Sequence, residues 1–161
     1  MGYLRIAILW LILSLMVAIY GCTNTNNKTA HSSKPTNTVN HPANIEHIAS
    51  QLYLRGSFNL WDYQSEYKLF KVAANTFAAA AQLTKGQRYE FLFSAKDASK
   101  PNSNCGYTKH AQIALNVKVK ASCNNIVLQS FVFIPPKSAT YEFFIEMTSI
   151  NNPLVYVKKA Y

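Results

Sequence analysis

Residues 52–61 read Leu-Tyr-Leu-Arg-Gly-Ser-Phe-Asn-Leu-Trp, and this stretch decides the fold that we predict for the chain. Its first four positions alternate leucine with Tyr and Arg, a period of two that is typical of a strand with one buried face. Gly56 and Ser57 then indicate a turn. We therefore predict a short strand, a tight turn and an aromatic side chain, Trp61, placed at the end of that turn.

The period of two recurs along the chain, which contains ten Tyr and nine Phe, residues that favour pleated, half-buried surfaces. Further strands are predicted at Tyr67–Ala73, Thr76–Leu83, Tyr89–Phe93, Ile113–Lys120, Asn125–Ile134, Tyr141–Met147 and Leu154–Lys158, with a loop at Lys96–Lys109. Roughly seven to eight short strands separated by turn residues predict an all-β fold, an antiparallel β-sandwich over residues 51–161.

The N-terminus has the pattern of a signal peptide. A short basic head, Met1–Arg5, precedes the apolar run Ile6–Tyr20. As a helix this run would span roughly 22 Å, less than the hydrocarbon core of about 30 Å. Residues 1–21 are therefore predicted to be a signal peptide rather than a membrane-spanning helix.

The apolar run ends in Ile-Tyr-Gly-Cys at residues 19–22, which resembles the lipobox of bacterial lipoproteins. The resemblance implies that Cys22 carries a covalent lipid, becomes the new N-terminus and anchors the protein to the membrane. Several acyl chains, each contributing about 0.8 kcal/mol per buried CH₂, would make the attachment effectively permanent. Thr23, rather than Asp, follows the cysteine. By resemblance to lipoprotein sorting in Gram-negative bacteria, this implies the outer membrane, with the domain in the periplasm or at the cell surface.

Residues 22–50 are rich in Asn, Thr, Ser, Lys and His and show no hydrophobic period. Such a segment buries too little apolar surface to offset the entropy of ordering it, so we expect a flexible tether with a reach of about 30 Å. His31, His41 and His47 are irregularly spaced within it, and no metal site is predicted there.

The chain is basic, with 16 Lys and Arg against 7 Asp and Glu and a formal charge of +9. This excess suits either a well-solvated surface or an anionic partner, such as phospholipid headgroups, lipopolysaccharide or peptidoglycan. No run of basic residues is longer than Lys158-Lys159, so a nucleic-acid partner is not expected.

Three cysteines are present, and if Cys22 is lipidated, Cys105 and Cys123 remain as an even pair. In an oxidising compartment such a pair predicts a disulfide. Closing a loop of this length would stabilise the fold by about 3 kcal/mol. A redox role is not expected, because no Cys-x-x-Cys spacing is present to lower a thiol pKa.

No catalytic constellation or cofactor motif is found, and we predict that the protein is not an enzyme. A glycosidase needs two carboxyl groups about 5–9.5 Å apart, whereas Glu142 and Glu146 on one strand would lie roughly 13 Å apart. His110 is the only histidine of residues 51–161, so no histidine-based metal site is predicted there.

Three motifs in order carry a resemblance to a known family. They are the opening stretch 52–61, the Gly-Gln-Arg-Tyr-Glu-Phe-Leu-Phe strand at 86–93, and a closing pattern at 124–126, 140–143 and 152–155. Together they resemble the immunoglobulin-like carbohydrate-binding modules found at the N-termini of pullulanases and isoamylases. The glycogen-binding domain of the AMP-activated kinase β subunit is a more distant relative. The resemblance implies an immunoglobulin-like antiparallel β-sandwich.

In that family, glucan is held by two indole rings, a lysine and nearby polar groups. By resemblance, Trp61 is the first indole and Asp97 precedes the position of the second, so both are candidate glycan-binding residues. The second indole position is Ala98, the lysine position is Leu92, and the Gly or Asn of the turn is Leu60. The resemblance therefore supports architecture more than sugar binding.

Two hypotheses for function follow. The first is a non-catalytic outer-membrane lipoprotein whose domain is an interaction or scaffold module, an accessory subunit of an envelope or secretion assembly. The alternative is a glycan-binding lipoprotein in which Trp61 stacks on a sugar; the competing interpretation of Trp61 is an aromatic residue that closes the end of the sandwich. Leu92 and Phe144 are expected to point outward, and pairing of their strands would form an exposed apolar patch for a protein partner.

Overall fold

Alternating apolar residues organise the domain into strands. In the computed structural model, the described residues are 42–109, 111–124 and 129–161, and they form one helix and ten strands. Two 3₁₀ turns, Ser57–Asn59 and Ser65–Tyr67, follow the first strand. The elements are α1 (Pro42–Ala49), β1 (Leu52–Gly56), β2 (Phe70–Ala73), β3 (Thr76–Leu83), β4 (Tyr89–Ala95), β5 (Asn104–Tyr107), β6 (Gln112–Ile113), β7 (Val119–Ser122), β8 (Phe131–Phe133), β9 (Ala139–Glu146) and β10 (Leu154–Lys159).

The strands form two sheets. In the first sheet, β4 pairs with β1 along one edge and with β5 and β8 along the other, and β6 adds to β8 as a parallel strand. The second sheet has the antiparallel order β2-β3-β9-β10-β7. Strand β5 also pairs with β7, so the two sheets are joined at one side.

Aromatic residues from both sheets fill the core between them. Phe91 of the first sheet lies edge-on to Phe143 of the second, with ring centroids 4.7 Å apart, and Phe133 meets Tyr141 at 5.2 Å. Phe58, from the turn after β1, packs against Phe143 at 5.7 Å. The predicted all-β sandwich is confirmed, and the opening stretch contributes to its core as well as to its rim.

The predicted strand boundaries need three corrections. Ile113–Lys120 is two short strands separated by a turn, in which Asn116 has a φ of 64° and Val117 is 48 % exposed. Asn tolerates this left-handed conformation, which ends a strand. The predicted loop Lys96–Lys109 contains β5, and ten strands are described instead of seven to eight. Of the predicted strand Asn125–Ile134, only Phe131–Phe133 is a strand; residues 125–128 lie outside the described residues.

Helix α1 corrects the predicted tether. It lies within residues 22–50, yet its Ile45 and Ala49 are 2 % and 0 % exposed and belong to the core cluster. These residues are four apart and therefore lie on one face of the helix. The ordered domain thus includes residues before 51. The signal peptide, Cys22 and the rest of the tether lie outside the described residues. Among the described residues, no helix is long and apolar enough to span a membrane.

The predicted apolar patch of Leu92 and Phe144 is wrong. Leu92 lies on β4 opposite Arg55 and is 1 % exposed, whereas Phe144 lies on β9 and is 8 % exposed. Phe144 stacks on Tyr156 of the neighbouring strand, with centroids 4.7 Å apart. The two residues belong to different sheets, so they cannot form one surface.

The predicted disulfide is confirmed. Cys105 and Cys123 are bonded, with an S–S distance of 2.05 Å, and both are buried. Cys105 lies on β5 and Cys123 directly follows β7, so the bond reinforces the place where the first sheet joins the second.

Candidate functional site

The turn after β1 is held by a buried asparagine. The Oδ1 atom of Asn59 accepts a hydrogen bond from the Gly56 N–H at 2.9 Å, and its Nδ2 donates to the Leu54 carbonyl at 3.1 Å. The next two residues, Leu60 and Trp61, have φ values of 54° and 62°. Left-handed backbone in residues other than Gly costs about 1–3 kcal/mol each and is found mainly at functional sites.

Gly56 is required by a close approach at this turn. A Cβ atom at this position would lie 2.5 Å from the Glu90 carbonyl oxygen and 2.6 Å from the ring of Phe58. No side chain fits there unless β4 or the core ring moves, so the glycine lets β1 run close to its neighbour.

Trp61 is partly exposed at the rim of the sandwich. Its N–H donates to the Gly56 carbonyl at 3.0 Å, and its own carbonyl accepts a hydrogen bond from Arg55 Nε at 2.6 Å. Among the described residues, the indole takes part in no aromatic pair and its Nε1 in no hydrogen bond. The backbone of Trp61 is therefore fixed, while its ring has surface left for another molecule.

Arg55 is held by uncharged partners. Its Nη1 donates to the Tyr63 hydroxyl at 3.0 Å and to Ser94 Oγ at 3.2 Å, and the guanidinium lies 4.1 Å from the centre of the Tyr63 ring. The Tyr63 hydroxyl in turn donates to the Ala95 carbonyl at 3.0 Å. Within the described part of the chain, Arg55 Nη2 has no hydrogen-bond partner. The charge is positioned but not neutralised.

A cavity of about 440 Å³ lies beside this network. Its walls come from Arg55, Tyr63, the segment 98–104 and the residues Cys123 and Asn124. The described lining has two cations, Arg55 and Lys100, no carboxylate, and several Asn and Ser side chains that can donate and accept hydrogen bonds.

A smaller cavity of about 260 Å³ adjoins the first, because Lys100 lines both. Tyr53 and Lys68 also line it, and the Tyr53 ring meets the Tyr63 ring edge-on at 5.6 Å. Lys96 Nζ lies 5.5 Å from the centre of the Tyr53 ring. We call the surface formed by Tyr53, Arg55, Tyr63, Lys68, Lys96 and Lys100 the basic surface.

Asp97 lies at the edge of the basic surface and is exposed. Its Oδ1 accepts hydrogen bonds from the Ser99 hydroxyl at 2.6 Å and the Ser99 N–H at 3.1 Å, and these bonds lower the pKa of the Asp97 carboxyl. Its Oδ2 is 3.7 Å from Lys100 Nζ. Asp97 lines the smaller cavity, whereas Trp61 is not among the described residues that line either cavity and is joined to the basic surface by the hydrogen bond from Arg55 to its carbonyl.

The other positions of the predicted sugar site differ in placement. Ala98 lines the larger cavity, so the loop expected to carry a second indole does reach the site, but with a methyl group. Leu92 is buried and is not among the lining residues. Leu60 is 88 % exposed at the tip of the turn.

Sequence reasoning identified none of the six residues of the basic surface as site residues, and Arg55 and Tyr63 show why. Arg55 was interpreted only as an outward position of β1, although an arginine beside a predicted turn could have been flagged. No local signal identifies Tyr63, because its hydroxyl also bonds to Ser94 and Ala95, which are more than thirty residues away.

The described residues contain no group of three or more His, Cys, Asp or Glu side chains that could hold a metal ion. Comparison with known proteins gives a likeness of fold only. No protein-family model matches the chain, and no curated protein matches it. A solved starch-binding domain, described as the ligand-induced structure of AmyP-SBD, is similar with a TM-score of 0.52 and 15 % identity, covering 87 % of this chain and 99 % of that one. At this identity, the likeness supports the all-β sandwich fold and nothing finer.

Proposed function

We propose that this protein is a lipid-anchored envelope protein whose β-sandwich domain binds a saccharide without catalysing a reaction. The observation that carries the proposal is the cavity of about 440 Å³ beside the Trp61 turn, with Arg55 and Tyr63 in its wall. Its volume is within the range of about 300–1,000 Å³ that is usual for ligand sites. The solved domain that shares this fold is a starch-binding domain, which makes saccharides the first class of ligand to test.

Sugars would be recognised through ring faces and hydrogen bonds. Tyr53, Tyr63 and Trp61 are partly exposed and offer aromatic surface for the apolar face of a pyranose. Asn102 and Asn104 in the cavity wall offer both donors and acceptors to hydroxyl groups. Cleavage is not proposed, because Asp97 is the only carboxylate among the described residues that line the two cavities and a glycosidase needs two.

The lipid anchor on Cys22 is part of the proposal. It is supported by the lipobox-like sequence at residues 19–22 and by Thr23 after it. Attached in this way to the outer membrane, the domain would meet envelope glycans at a high local concentration. Labelling with a palmitate analogue should mark the wild-type protein and leave Cys22→Ser unlabelled; labelling of both proteins would contradict the anchor.

Glycan binding is tested with the detergent-solubilised full-length chain on a glycan array. Tyr63→Ala and Trp61→Ala should lose most of the signal, by tenfold or more in affinity for the best glycan, because Tyr63 lines the larger cavity and Trp61 offers a partly exposed ring on the adjoining turn. Tyr161→Ala is the matched control, since Tyr161 is fully exposed at the C-terminus, and it should bind like the wild type. An array on which the wild type binds nothing, or on which all four proteins bind equally, would overturn the proposal.

The interaction-module hypothesis stays a prediction without a site of its own. The surface expected for a protein partner was the pair Leu92 and Phe144, and these residues lie buried in different sheets. Recovery of a specific partner with the solubilised protein would revive it.

A further inference from the structure

We infer that the saccharide bound by the basic surface carries negative charge, as a carboxylate or a phosphate on the sugar. This inference rests on the proposed function and names the class of ligand. Its basis is the balance of charge in the two adjoining cavities, together with the way in which Arg55 is held.

The charges that line the two cavities are unbalanced. Arg55, Lys68, Lys96 and Lys100 are cationic, and Asp97 is the only carboxylate among the described lining residues. Asp97 forms an ion pair with Lys100. In the described chain, the other three cations have no ion pair. A ligand that enters either cavity therefore meets a net positive potential.

The hydrogen bonds of Arg55 prepare it for an anion. Tyr63, Ser94 and the Trp61 carbonyl use Nε and Nη1, and all three partners are uncharged. Fixing a guanidinium in advance reduces the entropy lost when a ligand binds. Its Nη2 group remains for an oxyanion, and hydrogen bonds between two charged groups are about twice as strong as neutral ones.

Lys96 and Lys100 extend the positive potential around Arg55 along the surface. Lys96 lies over the Tyr53 ring, and Lys100 lines both cavities, so neither is remote from the aromatic rings that would contact the sugar. A neutral glucan would leave this arrangement unused, because hydroxyl groups need donors and acceptors rather than net charge. A polymer with one charge per sugar would match several cations at once.

The test measures binding of three probes to the solubilised full-length protein by calorimetry. The probes are oligogalacturonate, with a carboxylate on each sugar, a phosphorylated mannose oligomer, and maltoheptaose, which is neutral. We expect at least one charged probe to bind tenfold or more tighter than maltoheptaose. Its affinity should fall when NaCl is raised from about 50 mM to about 500 mM, because salt screens exposed charges. The two charged probes distinguish a carboxylate ligand from a phosphate ligand.

A double variant with a matched control separates the site from general attraction. Lys96→Gln/Lys100→Gln should weaken the charged probe about tenfold and leave maltoheptaose unchanged. Lys85→Gln/Lys137→Gln removes the same charge near the opposite end of β4, from two exposed residues, and should bind like the wild type. Both double variants keep the hydrogen bonds of Arg55, so we expect the turn after β1 to fold as in the wild type.

The outcomes distinguish this inference from the proposed function. If maltoheptaose binds through Tyr63 and Trp61 as tightly as both charged probes, the proposed function stands and the inference is overturned. Equal weakening by the two double variants also overturns it, because the attraction would then not depend on the basic surface. If neither the probes nor the array gives binding, both proposals fail.

Discussion

Each sheet carries aromatic rings beside a cation, and the two places differ in how the cation is neutralised. On the first sheet, Arg55 lies over Tyr63 and bonds only to uncharged groups. On the second, Lys118 Nζ lies 5.2 Å from the Tyr156 ring and 2.5 Å from the Glu146 carboxylate. The Glu146 hydrogen bond raises the pKa of Lys118.

The difference indicates which surface is available to a ligand. The carboxylate of an ion pair cancels most of the positive potential around its cation, and an exposed pair stabilises the folded protein little. A cation held by a hydroxyl, a ring and a carbonyl is fixed in place and keeps its charge. Aromatic rings with an unpaired cation nearby do not define a site by themselves, because Lys158 also lies over the Tyr156 and Phe144 rings without an ion pair among the described residues. The basic surface differs in that the guanidinium of Arg55 is held in place by hydrogen bonds in the wall of a cavity.

The largest effect is expected from removing the disulfide that connects the two sheets. Cys105→Ala/Cys123→Ala should lower the free energy of unfolding by about 3 kcal/mol, because the unfolded chain is no longer constrained. Denaturant titration measures the change. Reducing agent should bring the wild type down to the level of the variant and leave the variant unaffected. Equal stability of the oxidised wild type and the variant would show that the sheets need no covalent link.

A smaller effect is expected at the turn that supports the basic surface. Asn59→Ala leaves the buried Gly56 N–H without its acceptor, which costs about 1–3 kcal/mol. Thermal or denaturant unfolding should show this loss. Asn152→Ala is the control, since Asn152 is exposed, and it should change stability by less than about 0.5 kcal/mol. If the two variants are equally stable, Asn59 does not hold the turn.

The smallest effect is expected at the Lys118–Glu146 ion pair of the second sheet, and it tests the comparison with Arg55 directly. Glu146→Gln should lower the Lys118 pKa toward its ordinary value, because the hydrogen-bonded carboxylate that raises it is gone. A raised lysine pKa stabilises the fold at pH values below the ordinary pKa, and this contribution is lost as pH rises through the raised pKa. Glu146→Gln should therefore be slightly less stable than the wild type at neutral pH and equally stable above the raised pKa. An NMR titration of Lys118 measures the shift. Glu142→Gln is the control and should leave the Lys118 pKa unchanged.

Strands with a clear period of two could be predicted from the sequence. Tyr141, Phe143 and Ile145 alternate with Glu142, Phe144 and Glu146, and all three are fully buried on one face of β9. The disulfide was predicted from the number of cysteines and from the N-terminal motif that implies an oxidising compartment. In both cases the information is local or depends on a count, so no knowledge of neighbouring strands was required.

Predictions that depended on which strands and helices pack next to each other were less successful. Helix α1 is only eight residues long, and Ile45 and Ala49 matter only because the sandwich offers a place to bury them. Leu92 and Phe144 were each assigned a face of a strand, but the pairing of β4 and β9 with different partners decides what covers them. The lipobox and the signal peptide are predictions on residues outside the described structure.

Alternation and steric limits act over a few residues, so local sequence was enough to predict the strands with a clear period of two and the Gly56 turn. Only the tertiary structure decided the site. Arg55, Tyr63 and Lys100 come from three separate segments, and their distances depend on how β1, β4 and the following loop pack. The charge of a surface is a sum over residues that the chain brings together only on folding, and for that reason the basic surface could not be predicted from any single stretch of sequence.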